Sequence, residues 1–365
     1  MVAISSSQNH GGADLVFSNV VNIINQVDLV FIHCNNISTF KPEKKIIKHF
    51  FFNLNRTSKS IIKYFFYYFW VENIFFYKQV KKNEVVYVND FVPLLSLCFC
   101  KIFKRIKITL HCHSAFKENI KNRFITGPFI DIMTEQIIAP SLFLKINLSK
   151  LSIEEDKISI IHNGIKPLPR IKVPKCSNLT IGLFGAIAPL KGQKVLFNTA
   201  SVMKKKGINF SFLYAGQILD STYHKSLLDT YKILISTQYV RYLGDLDREN
   251  LAKSMAECDI VLCISVEADV LPTVLLEAMS IGKCVIGTEI GGIPEIINSS
   301  NGILIPPNDV NALVEAIERL NNSPTLMNEF SIKALATYDE LFSWERFAKE
   351  IDKYFGVKAD LLLSQ

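Results

Sequence analysis

Short apolar runs separated by stretches with helical spacing dominate the chain, and this alternation predicts α/β architecture with parallel sheets. In the first half the runs are Val2–Ser5, Leu29–Ile32, Val85–Val88, Ile106–Leu110, Gln136–Ala139 and Ile158–Ile161. The second half repeats the theme with Leu179–Phe184, Phe210–Ala215, Val240–Leu243, Ile260–Cys263, Lys283–Gly287 and Gly302–Ile305. Two doubly wound, Rossmann-like domains account for both series. The segment from Lys166 to Lys175 separates them, because its prolines at 167, 169 and 174 continue neither a helix nor a central strand. The predicted domains are 1–167 and 176–340, with a terminal helix over 341–365 that packs back on the first. In an open parallel sheet, ligands bind beyond the carboxyl ends of the strands, so two such sheets facing each other would enclose a cleft.

Length and composition agree with two folded domains: 365 residues, 49% hydrophobic and 21% charged. The eight cysteines form no CxxC pair and mostly sit in apolar runs, which reads as reduced core residues in a cytoplasmic protein. The opening residues lack the apolar stretch of a signal peptide. A formal charge of +7 favours anionic partners, but no aromatic-plus-basic nucleic-acid signature accompanies it. Ile61–Tyr77 is unusually aromatic, and its longest apolar run is too short to span a bilayer. Two readings fit that segment: an interfacial helix facing anionic lipid through its neighbouring lysines, or a helix or strand pair packed in the core.

The candidate chemistry concentrates between Glu267 and Glu295. Pro272 suits the first turn of a helix and Gly282 its C-terminal cap. The helix N-terminus, around Leu271, Pro272 and Thr273, lies after a parallel strand and offers N–H groups and a positive dipole end to a diphosphate. Glu277 falls in the second turn among Val274, Leu275, Leu276, Ala278 and Met279, where an unpartnered carboxylate is costly. A ribose diol, with two hydroxyl donors, would satisfy it. Beyond the next strand, Gly291 and Gly292 allow close approach of backbone to a ligand, and Pro294 can start another helix.

This segment resembles the E-x7-E region of glycosyltransferase family 4, retaining enzymes of GT-B fold. The resemblance assigns the donor ribose to Glu277 and the donor sugar and phosphates to Asp269 with the backbone that follows. Asp269 is one methylene shorter than the family's glutamate, and Glu267 lies two residues earlier. In Phe184–Gln193, Lys191 and Gly192 match the family's Lys-Gly, with Lys191 implied as a cation for the donor diphosphate, while Ala186 replaces the usual arginine. Loss of one such contact costs roughly 1.5 to 3 kcal/mol if nothing replaces it. Asn9–Asp14, with Gly11 and Gly12, is similar to the family's first glycine-rich loop over the donor phosphate and acceptor. His113, after strand Ile106–Leu110, matches the histidine lining the acceptor side. His111 and His113 could also share a metal by spacing, but no third ligand is evident, and His111 alone reads as a hydrogen-bonded core histidine.

The resemblance implies sugar transfer from a nucleoside diphosphate donor to a hydroxyl acceptor, with no cofactor and no metal. His113, Asp269 and Lys191 would be the catalytic residues. A lipid-linked or surface-polysaccharide acceptor at the inner membrane face is the expected setting, with peripheral contact to anionic membrane. The rival readings are a GT-B nucleotide-sugar epimerase and a silent homologue acting as a partner subunit.

Overall fold

The computed structural model describes residues 1–5, 12–24, 29–33, 46–50, 67–173 and 178–363. The chain divides into two compact units: Met1–Asn163 with Phe347–Gln365, and Gly164–Arg346.

The first unit holds seven parallel strands: β1 (Val2–Ser5), β2 (Leu29–His33), β3 (Ile46–Phe50), β4 (Val85–Asn89), β5 (Lys107–His111), β6 (Gln136–Ala139) and β7 (Ile158–Ile160). Their order is β3-β2-β1-β4-β5-β6-β7, so the sheet reverses its direction of growth between β1 and β4. There Asn89 donates from Nδ2 to Ser5 Oγ across the strand ends at 3.1 Å. β3 is missing from the strands read in the sequence. It is a five-residue edge strand whose Lys48 and His49 interrupt the apolar run. The first helix runs over Gly12–Ile23. Gly12 therefore begins that helix, while Gly11 lies outside the described residues.

Of Ile61–Tyr77, residues 61–66 lie outside the described part, and the rest is helical. A wide π-turn, Tyr67–Glu72, runs into the helix Asn73–Gln79. Glu72, Asn73 and Phe76 are buried, whereas Trp70, Val71, Ile74 and Tyr77 are exposed. This part of the segment thus combines a packed side with an exposed apolar side. Buried Asn73 fixes it by donating to Leu95 O at 2.6 Å and accepting from Phe99 N at 2.8 Å.

In the second unit the strands are β8 (Thr180–Phe184), β9 (Ser211–Ala215), β10 (Val240–Tyr242), β11 (Ile260–Cys263), β12 (Cys284–Thr288) and β13 (Ile303–Ile305). Their order is β10-β9-β8-β11-β12-β13, all parallel, with the reversal between β8 and β11. Every residue of β8, β11 and β12 is buried, which is why these strands read as unbroken apolar runs rather than alternating ones. Ile181, Leu183, Phe197, Phe212 and Tyr214 are part of its core.

The boundary falls at Asn163/Gly164, ahead of the prolines chosen in the sequence. Four hydrogen bonds explain why. Ile165 N donates to Phe342 O, Tyr338 Oη to Ile165 O, Arg248 Nη2 to Lys166 O, and Ser280 Oγ accepts from Leu168 N. The start of the proline-rich stretch is thereby fastened to the second unit. The terminal helix Trp344–Leu363 belongs from Phe347 onward to the first unit, where Phe355 meets the Tyr87 ring edge-on at 5.8 Å.

Five of the six described cysteines are buried, Cys98 is half-buried, and none is bonded to another; Cys34 and Cys176 lie outside the described residues. Replacing Asn73 by Ala should strand the Phe99 amide and the Leu95 carbonyl. Urea denaturation is expected to show a loss of roughly 1–3 kcal/mol, and unchanged stability would contradict this anchoring role.

Candidate functional site

The second unit concentrates its candidate residues at the switch point. The loop after β8 closes in a 3₁₀ turn over Pro189–Lys191, and Gly192 follows with φ +83°. A Cβ on Gly192 would lie 2.1 Å from Ile264 O, so only glycine lets this turn seat against the end of β11. Val266 N donates to Leu190 O at 2.9 Å and locks the two loops together. As a result Lys191 Nζ lies 2.6 Å from Asp269 Oδ2. Burial alone would pull the Lys191 ammonium down, but the charge and hydrogen bond of Asp269 outweigh it and hold the group above its usual range. Lys191 is a firmly protonated cation.

Asp269 is positioned from the other side by the glycine pair. Gly291, with φ +64°, passes so close that a Cβ would meet Asp269 O at 2.2 Å, and Gly292 N donates to that same oxygen at 2.7 Å. The structure therefore brings Lys191, Asp269, Gly291 and Gly292 together in one constellation. Glu267 stands apart: it is exposed, and the ion pair of Lys191 is made with Asp269.

The helix runs over Thr273–Ser280, with Pro272 one place earlier than expected, at the N-cap, because its ψ of 116° is still extended. No side chain caps that end, and Leu275 N turns back to Pro272 O at 3.2 Å, so the amides ahead of it, at Thr273 and Val274, are the ones an external acceptor could take. At the other end Gly282, with φ +69°, allows Lys283 N to reach Ala278 O and close the helix. Leu271 is buried beside Val270.

Glu277 lies in the second turn with its side chain only 13% exposed. Burial pushes its carboxyl up to about 7, and the nearby Arg248 guanidinium only partly opposes this. Arg248 Nη1 is 3.9 Å from Glu277 Oε1, too long for a hydrogen bond, and its Nη2 is committed to Lys166 O at 2.6 Å. The sequence reading missed Arg248. The usable signal was Leu243-Gly-Asp245 just upstream, since Asp247 caps the helix Arg248–Glu257 by accepting from Asn250 N and so sets Arg248 in its first turn. At the position of the absent arginine, Ala186 O accepts from Gln193 Nε2 at 2.9 Å.

In the first unit, His111 ends β5 as a fully buried core residue, its Nδ1 2.9 Å from Tyr87 Oη. Burial, then the neighbouring His113, drive its pKa well below the usual histidine range. The two rings lie with centroids 4.3 Å apart, tilted by 36°. Burial lowers His113 to about 4, so at neutral pH it is an uncharged imidazole suited to hydrogen bonding a hydroxyl rather than to donating a proton. Its Nε2 has no hydrogen-bond partner among the described residues. Ser114 Oγ donates to Asp90 Oδ2 at 2.6 Å, and Asp90 N donates to His111 O, which ties the His113 loop to β4. No cluster of three metal-ligating side chains occurs among the described residues.

Residues 178–323 match the model of the family described as glycosyl transferases group 1. The chain carries a glycosyl transferases group 1 domain and is a glycosyltransferase. An uncharacterized glycosyltransferase of Haemophilus influenzae is 24% identical over 342 residues, 89% of this chain and 90% of that one. The putative colanic acid biosynthesis glycosyltransferase WcaL of Escherichia coli is 24% identical over 189 residues, 49% of this glycosyltransferase and 45% of WcaL. Among solved structures, Anabaena HepE in complex with UDP and glucose superposes with a TM-score of 0.81 at 18% identity, covering 97% of this chain and 99% of HepE. The architecture is therefore that of the two-domain GT-B glycosyltransferases.

The raised Glu277 pKa has a consequence for the glycosyltransferase's stability. Its carboxyl holds a proton up to about 7 in the fold against 4.5 in the reference state, so the native state binds more protons between those values. Stability should fall as pH rises through that window and level off above it. Glu277→Gln should remove this slope and stabilise the ligand-free protein above neutrality by roughly 1–3 kcal/mol. Parallel pH–stability curves for wild type and variant in thermal unfolding would contradict the assignment.

Proposed function

We propose that this glycosyltransferase moves a hexose-type sugar from a nucleoside diphosphate donor to a hydroxyl acceptor with retention of anomeric configuration, as a member of glycosyltransferase family 4. The observation that carries the proposal is the switch-point constellation of the second unit. It combines a protonated lysine, an open helix N-terminus and a buried carboxylate that lacks a close hydrogen-bond partner. UDP and glucose bound in HepE, a protein of the same fold, support this reading.

Each part has a role in such a transfer. Glu277 accepts both ribose hydroxyls. The helix start at Leu271–Thr273 and the backbone at Gly291–Gly292 face the diphosphate, and Lys191 offsets the charge that develops on it as the glycosidic bond breaks. Asp269 holds Lys191 in place and takes the sugar hydroxyls. His113, neutral, hydrogen-bonds on the acceptor side. Catalysis of this kind is electrostatic and positional and draws on no metal or cofactor.

The acceptor in this reading is a lipid-linked glycan or surface-polysaccharide precursor at the inner membrane face. The similarity to WcaL, named for colanic acid biosynthesis, supports that class. No described helix is long and apolar enough to cross a membrane, so the contact proposed is peripheral.

A panel of UDP-, GDP- and ADP-sugars should contain a donor that raises the melting temperature, because ligand binding stabilises by mass action. Lys191→Ala should cut transfer by about tenfold to a hundredfold through loss of a charge-assisted phosphate contact, and Glu277→Ala should abolish the donor-induced thermal shift. Turnover near the wild-type rate in both variants would overturn the proposal, and conversion of the donor without any acceptor would point to an epimerase.

A further inference from the structure

The segment after His113 turns helical at Ile120, passes through a π-turn over Asn122–Thr126 and carries exposed apolar side chains. Ile120 is 80% exposed, Phe124 67% and Ile125 64%. These are large side chains in one short stretch, and a globular surface rarely leaves such a group uncovered without a use. Lys117, Lys121 and Arg123 are exposed among them. The one acid of the stretch, Glu118, is already paired with Lys150 at 2.6 Å.

Both roots of the segment are fixed. Phe116 is clamped by Asn147, whose Oδ1 accepts from its N and whose Nδ2 donates to its O, each at 2.8 Å, and its ring packs on Phe91 at 4.9 Å. Gly127 packs so tightly on Leu151 that a Cβ there would fall 1.8 Å from its carbonyl oxygen. Between the roots the backbone turns helical, with Arg123 N donating to Asn119 O at 3.0 Å, and side chains add further bonds. Asn119 Oδ1 accepts from Asn122 N at 2.8 Å, Asn122 Nδ2 donates to Lys117 O at 2.9 Å, and Thr126 Oγ1 donates to Asn122 Oδ1 at 3.1 Å. Ile120, Phe124 and Ile125 thus stand exposed on a stretch whose backbone is tied down at both ends, beside the exposed Lys117, Lys121 and Arg123.

We infer that Lys117–Ile125 is a membrane-docking element that seats Ile120, Phe124 and Ile125 in the interface of an anionic bilayer with Lys117, Lys121 and Arg123 on the headgroups. An apolar face flanked by cations is the composition that partitions to such interfaces, and the charge complementarity selects lipid over a neutral apolar partner. The segment leaves β5 directly after His113, the residue assigned to the acceptor. A bilayer held there would present a lipid-linked hydroxyl to that histidine; the inference thus deepens the peripheral membrane contact proposed above, while the sugar transfer itself does not depend on it.

Flotation with phosphatidylcholine vesicles, with and without phosphatidylglycerol, tests the inference. The wild type should float with the anionic vesicles and be released by salt. The double variant Ile120→Asp/Phe124→Asp should bind at least about tenfold more weakly with an unchanged melting temperature, since both positions are exposed. The variant Ile332→Asp, which adds an acid at an exposed position of the second unit, should bind like the wild type. Absence of wild-type binding, equal binding by the double variant, or an equal loss in Ile332→Asp would overturn the inference. So would lipid-free self-association that the double variant abolishes, which would mark the face as a contact between copies of the chain. The vesicle assay contains no sugar, so its failure is distinguishable from failure of the transfer reaction.

Discussion

The second unit is organised around a carboxylate placed where carboxylates are expensive. Glu277 sits among Leu275, Leu276, Ala278 and Met279, all buried, and its nearest cation stands at 3.9 Å with its other nitrogen committed to a backbone carbonyl. Desolvation therefore exceeds the compensation available, and the pKa rises to about 7. A fold optimised only for stability would place an apolar residue or a closer partner here. Retaining the acid makes sense when a ligand completes its hydrogen bonding, and a vicinal diol does so with two donors.

The rest of the constellation follows from topology. Parallel strands that reverse their order between β8 and β11 leave two loops to meet at their carboxyl ends, and those loops carry Lys191 and Asp269. Glycine makes the meeting possible at two points, Gly192 against Ile264 and Gly291 against Asp269. The same helix that exposes its N-terminus at Thr273 anchors the Ile165–Leu168 segment through Ser280, whose hydroxyl donates to Glu277 O and accepts from Leu168 N. Arg248 joins the same region from the opposite side by holding Lys166 O and facing Glu277.

Much of this was legible in the sequence because parallel strands buried on both faces read as continuous apolar runs, and because a glycine with positive φ or a proline at a helix start leaves a local mark. The helix carrying Glu277 and the Gly291–Gly292 turn belong to that class. Arg248 did not, since its meaning lies in contacts 29 residues away in one direction and about 80 in the other, which no local pattern encodes. Strand β3 escaped for a different reason: it is a short edge strand whose Lys48 and His49 break the apolar signal. The domain boundary moved because prolines mark where regular structure stops, not which unit holds the chain. The outward face at Ile120, Phe124 and Ile125 also carries no 3.6-residue signature, since the helical chain there widens into a π-turn over Asn122–Thr126.

The central claim, that Glu277 is kept as a buried acid for the donor's hydroxyls, is tested most directly by the protons exchanged when a nucleoside diphosphate binds. Two hydroxyl donors need the ionised carboxylate, so binding should drive Glu277 below its ligand-free value of about 7. Isothermal titration near pH 6 in buffers of different ionisation enthalpy should show release of up to about one proton per nucleotide in the wild type and none from this source in Glu277→Gln. Binding without proton release in the wild type, or the same release in the variant, would contradict the account.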